Sequence, residues 1–405
     1  MNRIKVLDVE WTPPLTDIGG LEGYDGVQVL VRHQHRPIGY VSLPVVNGTC
    51  SGRNLTEVIR AEHGHRLREG SPPPELLWQG GGLPAVTVAV CTRDNAEELA
   101  RCLGALLRLE HPHLDLLVVD NAPATDETRR LVQSEYRAIR YVCEPRPGLN
   151  WARNRAITEA TGDILAYTDD DVVVDPDWVQ TLATAFAEDP DIAVVTGLVV
   201  PAELETPAQI HFERYGGFGC GFDRRRYSWA GETRPSYRGQ ALECGTGANM
   251  AFRRDVLDRI GPFDPALDVG TVTTGGGDVE MFFRVLKEGF TLVYQPSAIV
   301  RHRHRRDPDR LRAQIESWGT GTMAVLARSA RAYPDERGRL IRMALRGVGR
   351  QLRRIVASWI RPPGFPRALL FAELRGALKG VRRFGQARRT ADEIARSFQG
   401  RNPEP

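Results

Sequence analysis

The feature that most constrains the fold is an alternation over residues 85–174, where four short apolar runs are separated by three segments of helical spacing. The runs are AVTVAVCTRD, LDLLVVDN, AIRYVCEP and DILAYTDDD, and the segments between them are AEELARCLGALLRL, TDETRRLVQSEY and NWARNRAITEATG. Strand-length runs that are apolar throughout are typical of strands covered on both faces. Strands that alternate with helices predict βαβ crossovers, so the expected fold class is α/β with a doubly wound, mainly parallel sheet.

Two units of different character flank this core. Residues 1–80 predict a small β-rich unit, because GVQVLVRHQHRPIGYVSLPV alternates and turns at residues 35–37 as a hairpin would. LTEVIRAEHGHRLRE predicts one helix, and the Pro- and Gly-rich GSPPPELLWQGGGLP indicates a linker. We therefore expect three parts: a small unit at 1–80, the α/β domain at 81–306 and a helical extension at 307–405.

The extension is strongly basic. Residues 301–405 contain 24 Arg and one Lys against nine acidic residues, a net charge of +16, so residues 1–300 carry −13. RLIRMALRGVGRQLRRIVASWIR (339–361) predicts an amphipathic helix. Its apolar face would hold Ile341, Leu345, Val348, Leu352, Ile355 and Trp359, and its opposite face Arg342, Arg346, Arg350 and Arg353. Such a helix either lies on an anionic membrane surface or packs on the α/β domain. Nucleic-acid binding is not expected, since no recognised module accompanies the charge.

The sequence also bears on location. No apolar run approaches the ~18–20 residues needed to span a bilayer, and MNRIKVLDVEW lacks the apolar core of a signal peptide. The six cysteines are scattered without CxxC spacing, which favours reduced thiols over disulfides or a zinc site. We expect a cytoplasmic protein, peripheral on the inner face of the cell membrane if the extension binds lipid.

Three predicted strands end in polar or acidic residues. These are Thr92, Arg93, Asp120, Asn121, Asp169, Asp170 and Asp171. In an open α/β sheet the ligand binds at the carboxyl ends of the strands, so these side chains are expected along one rim. Adjacent carboxylates repel and are costly to bury. Three in a row therefore indicate a bound cation, with a solvated turn as the alternative.

Six segments resemble, in order, the family 2 glycosyltransferases, which have the GT-A fold. They are VAVCTRD, LLVVDNAPATDET, RPGLNWARNRAITEATGDILAYTDDDVVVDPDWV, GTGANMAFRRDVLDRIGPFDPAL, GGGDVEMFFRVLKEGF and YQPSAIVRHRH, within residues 85–305. The resemblance implies a metal-dependent, inverting hexosyltransferase that moves a sugar from a UDP-, dTDP- or GDP-sugar to an acceptor hydroxyl. It implies Mg²⁺ or Mn²⁺, and an acceptor that is a glycan, a glycolipid or a lipid-linked sugar in a surface-polysaccharide, lipid-linked glycan or glycolipid pathway.

By this resemblance the acidic run is the family's DXD motif. Asp171 is expected to bind the metal, Asp169 to contact the ribose or the metal, and Asp170 to serve in either register. His302, in VRHRHRR, is expected to complete the metal site, with a solvent-facing histidine as the alternative. Hard divalent cations take oxygen ligands and neutralise a departing diphosphate.

The resemblance also implies a nucleotide site. Thr92 and Arg93 are expected to hold a pyrimidine, and Asp120 or its neighbour Asn121 to bond its N3 edge. A helix cap is the alternative for Asp120.

Gly148 allows a close turn before a helix whose free amides suit an anion. Arg153, one turn into that helix, is expected to reach the diphosphate or to clamp the aspartates, with a surface salt bridge as the alternative. Asn154 is expected to contact the donor in the same way.

The acceptor half is expected around TTGGGDVEMFFRVLKEGF. Asp278 is expected to be the general base that takes the proton of the acceptor hydroxyl, with a plain N-cap as the alternative. Gly247 and Asn249 are expected to line the sugar pocket, and Glu280 to contact acceptor hydroxyls. HFERYGGFGCGFDRRRYSW (211–229) predicts an acceptor loop, since it is long, Gly-rich and aromatic.

Two other functions fit parts of this pattern. A nucleotidyltransferase acting on sugar phosphates also pairs a doubly wound sheet with acidic metal ligands, but CTRDNAEEL is not the Gly-, Arg- and Lys-rich loop that would hold a triphosphate. A catalytically inactive, membrane-docked scaffold would not need Asp171 and Asp278, and their presence argues against it.

Overall fold

The N-terminal unit is a small sheet with one helix. The structure is a computed structural model that describes residues 3–68, 82–229, 237–238, 241–242 and 244–399. Strand β1 (Ile4–Glu10) runs parallel to β2 (Gly26–His33), and β2 forms the predicted hairpin with β3 (Arg36–Pro44). The predicted helix is α1 (Gly52–Arg68), which packs on the sheet through Leu55 and Ile59. Most of the expected linker, up to residue 81, lies outside the described residues.

The α/β domain follows the predicted alternation. Its first half contains β4 (Val86–Thr92), α2 (Ala96–Leu106), β5 (Leu114–Asn121), α3 (Glu127–Glu135), β6 (Arg140–Glu144), α4 (Leu149–Glu159), β7 (Ile164–Asp169), β8 (Val172–Val174) and α5 (Trp178–Glu188). Its second half contains β9 (Ile192–Pro201), α6 (Pro207–Tyr215), β10 (Arg225–Tyr227), β11 (Tyr237–Arg238), β12 (Ala241–Leu242), β13 (Asn249–Arg253), α7 (Arg254–Ile260), α8 (Gly277–Lys287) and β14 (Thr291–His302).

One nine-stranded sheet organises this domain. Its order is β10-β14-β9-β13-β7-β4-β5-β6, and β8 pairs with β14. Strands β4 to β7 are parallel, as is β14 with β9, whereas β13 is antiparallel to both β7 and β9. The predicted doubly wound, mainly parallel sheet is confirmed, with β13 as an antiparallel strand that the sequence did not reveal.

The apolar strands are explained by two cores, one on each face of the sheet. In β7, Leu165 and Tyr167 belong to one core, whereas Ile164 and Ala166 belong to the other. A strand in this position needs apolar side chains in both directions, so the usual alternation disappears. The strand ends meet as expected, because Thr92 pairs with Asp120 and Cys91 with Asp169 at neighbouring positions of the sheet.

The N-terminal unit packs against strands β9 and β14 of this sheet. Leu30 shares a small apolar cluster with Leu198 and Ile299. Beside it, Arg32 donates to Asp8 and Asp175, at 2.6 Å in each case, which joins the two units electrostatically. That residues 1–80 form a separate domain stays a prediction.

Three long helices form the extension: α9 (Pro308–Ala332), α10 (Arg337–Ile360) and α11 (Ala368–Ser397). Helices α9 and α11 cross closely, since a Cβ at Gly319, Gly376 or Gly380 would clash with the facing backbone. Helix α10 confirms the amphipathic helix predicted at 339–361. Among the described helices, none combines the length and the hydropathy required to cross a membrane.

Candidate functional site

Asp169, Asp171 and His302 converge where β7 and β14 end. One ligand atom from each residue lies within 4.8 Å of the other two. Burial lowers the pKa of His302 to about 3, so its imidazole is neutral near pH 7 and can offer a lone pair. Two carboxylates and one imidazole fit a Mn²⁺-like cation. The structure thus brings together all three residues predicted as metal ligands.

The two carboxylates are held against strong repulsion. Burial and the charge of Asp171 raise the pKa of Asp169 to about 7, and burial raises the pKa of Asp171. Arg305 lies 3.6 Å from Asp171 but is half exposed, so it compensates only part of this charge. A divalent cation bound between the two carboxylates would remove the remaining repulsion.

This repulsion predicts a pH-dependent response to metal. The pKa of Asp169 lies above its unfolded value, so without metal its proton contributes stability that is lost as the pH rises through about 7. Added Mn²⁺ must displace that proton. We expect the increase in Tm caused by Mn²⁺ to grow between about pH 5.5 and 8. Thermal melts of the wild type and of Asp171→Asn measure it. A shift that does not change with pH, or that persists in the variant, would contradict the assignment.

Asp170 points away from the metal-ligand group. Its carboxylate accepts hydrogen bonds from Thr92 Oγ1 at 2.6 Å and from Asn95 Nδ2 at 2.9 Å. It therefore links the turn after β7 to the end of β4 and the start of α2. Sequence analysis missed Asn95, although it immediately precedes the helix after the first strand.

Asp120 and Asn121 have different surroundings. Asp120 is buried and accepts from Tyr141 Oη at 2.9 Å through Oδ2, whereas its Oδ1 has no hydrogen-bond partner among the described residues. Burial raises the pKa of Asp120 to about 6. Asn121 is saturated by the backbone, since it accepts from Gly148 N at 2.9 Å and donates to Arg146 O at 2.8 Å. Asp120 is the residue of this pair with acceptor capacity left for a ligand.

Arg93 and Gly148 frame the same rim. Arg93 is half exposed and lies 3.6 Å from Asp94. Gly148 has a φ of 127° and directly precedes α4, so the backbone turns sharply where the helix begins.

Arg153 is buried among carboxylates. Its Nη1 donates to Asp268 Oδ2 at 2.6 Å and to Asn150 Oδ1 at 3.1 Å. Burial opposes its charge, but Asp268, Asp278 and Asp169 outweigh burial and raise the pKa of its guanidinium. Its ion pair is thus with Asp268 and not with the acidic run, and the expectation that Arg153 reaches the diphosphate or clamps that run stays a prediction. Sequence analysis did not single out Asp268, although it lies in the Gly- and Thr-rich loop that leads to Asp278.

Asp278 lies in the first turn of α8. Its Oδ2 accepts from Gly247 N at 2.6 Å and its Oδ1 from Val279 N at 2.8 Å. A Cβ at Gly247 would come 2.6 Å from the Arg153 guanidinium, so a larger residue here would force that side chain to shift. Burial and the charge of Asp268 raise the pKa of Asp278, while Arg153 lowers it. A carboxylate with a raised pKa is a better proton acceptor near neutral pH.

Two asparagines that are expected to contact ligands use their side chains for hydrogen bonds within the protein. Asn154 bonds both backbone groups of Phe263, at 2.8 and 2.9 Å. Asn249 is completely buried and accepts from Trp178 Nε1 at 2.9 Å, while its amide donates to two strand carbonyls. Neither side chain lines the cavity described below, so neither expected contact is supported.

Glu280 also lies away from the predicted acceptor side. It is fully buried and pairs with Arg284, one turn further along α8, and with Arg328 of α9 at 2.6 Å. Its charge is thereby neutralised in the interior. The expected contact with acceptor hydroxyls is not supported by this position.

A cavity of about 1590 Å³ opens over the site. Asp169, Asp278 and His302 line it, together with residues 216–220 from the predicted acceptor loop. Only part of the predicted segment is a loop, because residues 211–215 end helix α6 and residues 225–227 form β10. Tyr215, Arg225 and Tyr227 also line the cavity. That this segment binds an acceptor stays a prediction. Phe218 packs edge-on against His302, with ring centroids 5.0 Å apart.

Comparison with known proteins gives one family. Residues 87–261 match the family described as Glycosyl transferase family 2. This segment contains Asp120, Arg153 and the acidic run, and it ends before Asp278.

Curated relatives match over a wider range. A glucosyl-dolichyl phosphate glucuronosyltransferase of Haloferax volcanii is 27% identical over 228 residues, which are 54% of this chain and 69% of that protein. A pre-mycofactocin glycosyltransferase of Mycobacterium tuberculosis is 26% identical over 272 residues, 66% of this chain and 52% of that protein. The chain thus spans about half the length of the second relative. Among solved structures, the mannosyltransferase PcManGT of Pyrobaculum calidifontis, in complex with GDP-Man and Mn²⁺, has a TM-score of 0.44 and 18% identity, and the match covers 84% of this chain and 83% of that one.

Proposed function

Because this chain belongs to glycosyltransferase family 2 through residues 87–261, we propose that it moves a sugar from a nucleotide-diphosphate sugar to an acceptor hydroxyl, with inversion and with a divalent metal ion. The observation that carries the proposal is the placement of Asp169, His302 and Asp278 on one cavity. Asp171 completes a ligand set with the first two. Such a transfer needs residues that hold a metal ion at the diphosphate and a separate base that takes the proton of the acceptor hydroxyl.

The nucleotide would bind along the ends of β4 and β5. Asp120 supports this, because its buried Oδ1 can accept an N–H from the edge of a pyrimidine. Leaving such an oxygen unpaired costs about 1–3 kcal/mol, and the base would supply the missing donor. Thr92 fixes the neighbouring Asp170 through its hydroxyl, and Arg93 is exposed enough to cover the base.

The diphosphate would bind at Asp169, Asp171 and His302. When bound there, Mg²⁺ or Mn²⁺ neutralises the charge that develops on the leaving diphosphate. The side chains of this chain orient the site: Arg153 balances Asp169 from the interior, and Arg305 approaches Asp171 from the cavity. His302, neutral because it is buried, adds no charge to the ligand set.

Asp278 would accept the proton of the acceptor hydroxyl. Two backbone amides, from Gly247 and Val279, hold its carboxylate in a single orientation. Arg153 keeps the neighbouring Asp268 occupied as an ion pair. Among the described residues, Asp278 has no ion pair at hydrogen-bond distance, and the two hydrogen bonds that its carboxylate accepts come from backbone amides.

A screen of nucleotide-sugars tests the proposal. UDP-, dTDP- and GDP-sugars would be incubated with Mn²⁺, and the released nucleoside diphosphate would be measured. We expect metal-dependent hydrolysis and a thermal shift with one nucleotide class. Release of pyrophosphate from a sugar 1-phosphate and a nucleoside triphosphate would instead establish the nucleotidyltransferase alternative.

We also propose that the extension docks on an anionic membrane. Helix α10 packs inward through Leu340 and Ile355, and of these two only Ile355 belongs to the predicted apolar face. Residues of that face which remain exposed are Ile341 (51%), Leu345 (68%), Leu352 (47%) and Trp359 (65%). Leu378 and Val381 of α11 are also exposed. Together with the basic charge, this arrangement suits a membrane interface.

Replacing Ile341, Leu345, Leu352 and Trp359 by serine is therefore expected to release the protein from vesicles. Wild-type binding should rise with anionic lipid, since each nearby Lys or Arg contributes about 1 kcal/mol, and fall with salt. Vesicle sedimentation measures both effects. Val46 and Leu107 are exposed on other parts of the chain, and their replacement by serine is the control. If the wild type never binds vesicles and the helix variant unfolds, the apolar face packs within the protein and the membrane proposal is wrong.

A further inference from the structure

The loop of residues 268–276, which leads into α8, is fastened to the first turns of α4. Leu149 N donates to Val269 O at 2.9 Å. Arg153 Nη1 donates to Asp268 Oδ2 at 2.6 Å. The segment that precedes the proposed base is therefore attached to a helix more than a hundred positions earlier in the chain.

Asp268 organises this loop through its backbone as well as its side chain. Its N donates to Gly275 O at 3.2 Å, and its carbonyl accepts from Thr271 Oγ1 at 2.8 Å. One carboxylate oxygen accepts from Val269 N at 2.9 Å, and the other accepts from Arg153. The φ of Asp268 is 77°, a left-handed conformation that Asp and Asn adopt more readily than most residues. Its side chain is only 9% exposed, so the ion pair is shielded from solvent.

The same ion pair lies against the backbone on both sides of Asp278. A Cβ at Gly277, which precedes the base, would come 2.5 Å from Asp268 Oδ2. A Cβ at Gly247 would come 2.6 Å from Arg153 Nη2 and 3.3 Å from Asp278 Oδ2. Gly247 N is also the donor that holds Asp278 Oδ2. Asp268 thus packs on the start of α8, and Arg153 packs beside the amide that orients the base.

The charges around Asp278 are dominated by this pair. Among charged groups, Asp268 raises the pKa of Asp278 most, and Arg153 lowers it most. The other elements contribute Asp169 of β7, His302 of β14, the uncharged Gly321 and Val325 of α9, and, on α8 itself, Glu280, which is paired with Arg284 and Arg328. The loss of either member of the pair would therefore change both the packing and the charge at the base.

We propose that Asp268 is a positioning residue for sugar transfer, because it holds Arg153 and the loop so that Asp278 stays directed at the acceptor hydroxyl. The inference rests on the proposed function and adds a residue that lies beyond the family match at residues 87–261. Without the carboxylate of Asp268, the guanidinium of Arg153 would be drawn to Asp278, which would turn the base away from the hydroxyl and weaken it.

Asp268→Asn tests this proposal in the full chain. The assay is Mn²⁺-dependent hydrolysis of the nucleotide-sugar that the wild type cleaves in the screen, with water in place of the acceptor hydroxyl. Asparagine keeps the size of the side chain and suits the left-handed backbone. We expect kcat to fall about 10- to 100-fold, since a misplacement of about 1 Å can cost about 100-fold. The KM of the donor should stay near the wild-type value.

A pH profile separates positioning of the base from support of the loop. Because Asp268 raises the pKa of Asp278, its neutralisation should move the acid limb of kcat/KM to lower pH. The matched control is Thr271→Val, which removes the hydroxyl that donates to the Asp268 carbonyl but leaves the carboxylate in place. Its pH profile should match that of the wild type. An unmoved limb in Asp268→Asn, or the same shift in Thr271→Val, would overturn the proposal.

Asp268→Glu keeps the charge and lengthens the side chain by one methylene. Its kcat should lie between those of the wild type and of Asp268→Asn, and its acid limb should not move. This comparison remains decisive even if the asparagine variant does not fold, because an acid limb that moves in Asp268→Glu would contradict the proposal.

A double substitution shows whether Asp268 acts through the base. The kcat of Asp268→Asn/Asp278→Asn should equal that of Asp278→Asn alone, whereas losses that multiply would mean independent roles. The change in Tm caused by Asp278→Asn should also differ between the wild type and Asp268→Asn, since interacting sites are not additive. Additive changes in Tm would overturn the coupling. This measurement needs no donor, whereas a wild type that hydrolyses no nucleotide-sugar would contradict the proposed function itself.

Discussion

Replacing Asp278 by Asn is expected to lower kcat by about 10²- to 10⁴-fold, the range that general acid–base catalysis contributes. The substitution keeps the size of the side chain and an acceptor for the amide of Gly247. It removes the charge that takes the proton of the attacking hydroxyl. Donor affinity should stay near the wild-type value, because the metal-ligand residues are unchanged. Steady-state kinetics and a separate donor titration measure the two effects.

The environment of Asp278 adds a second readout. Burial and the charge of Asp268 raise the pKa of Asp278. On the acid side of a pH profile, kcat/KM should therefore begin to fall at a pH above the ordinary pKa of an aspartate. In Asp278→Asn this limb should disappear. A large loss of donor binding with near-normal turnover would instead place Asp278 on the donor side.

Replacing Asp171 by Asn is expected to abolish transfer by removing a charged metal ligand. Even outer-shell partners of a metal account for about 10- to 100-fold in affinity, so the loss of a direct ligand should exceed that range. Nucleotide-sugar binding in Mn²⁺ should weaken in parallel, and chelation of the wild type should have the same effect. Titration of Mn²⁺ and of the donor measures both.

A matched control separates the metal from a general effect of charge. Asp309→Asn removes the same charge from a side chain that is 82% exposed at the start of α9, and it should behave like the wild type. Full activity of EDTA-treated enzyme would show that the metal assignment is wrong.

Much of the site could be predicted because it follows from local pattern. The run from Ile164 to Asp171 shows a buried strand that ends in acids, and sheet geometry places the ends of parallel strands on one rim. Asp169 and Asp171 could therefore be predicted as partners, and the family resemblance added His302 from 131 positions further along the chain.

The sequence by itself determined the α/β class, the order of the elements and the acidic rim, because periodicity and strand ends are local properties of the chain. Only the tertiary structure decided which polar groups are free to act. Arg153 contacts Asp268, which lies 115 positions further along the chain. Glu280 is paired with Arg328 of α9, so its position does not support the expected contact with an acceptor. Asp120 and Asn121 are neighbours in sequence, yet the backbone around Gly148 saturates one and leaves an oxygen of the other unpaired among the described residues. Such pairings depend on how distant elements pack, and no local spacing encodes them.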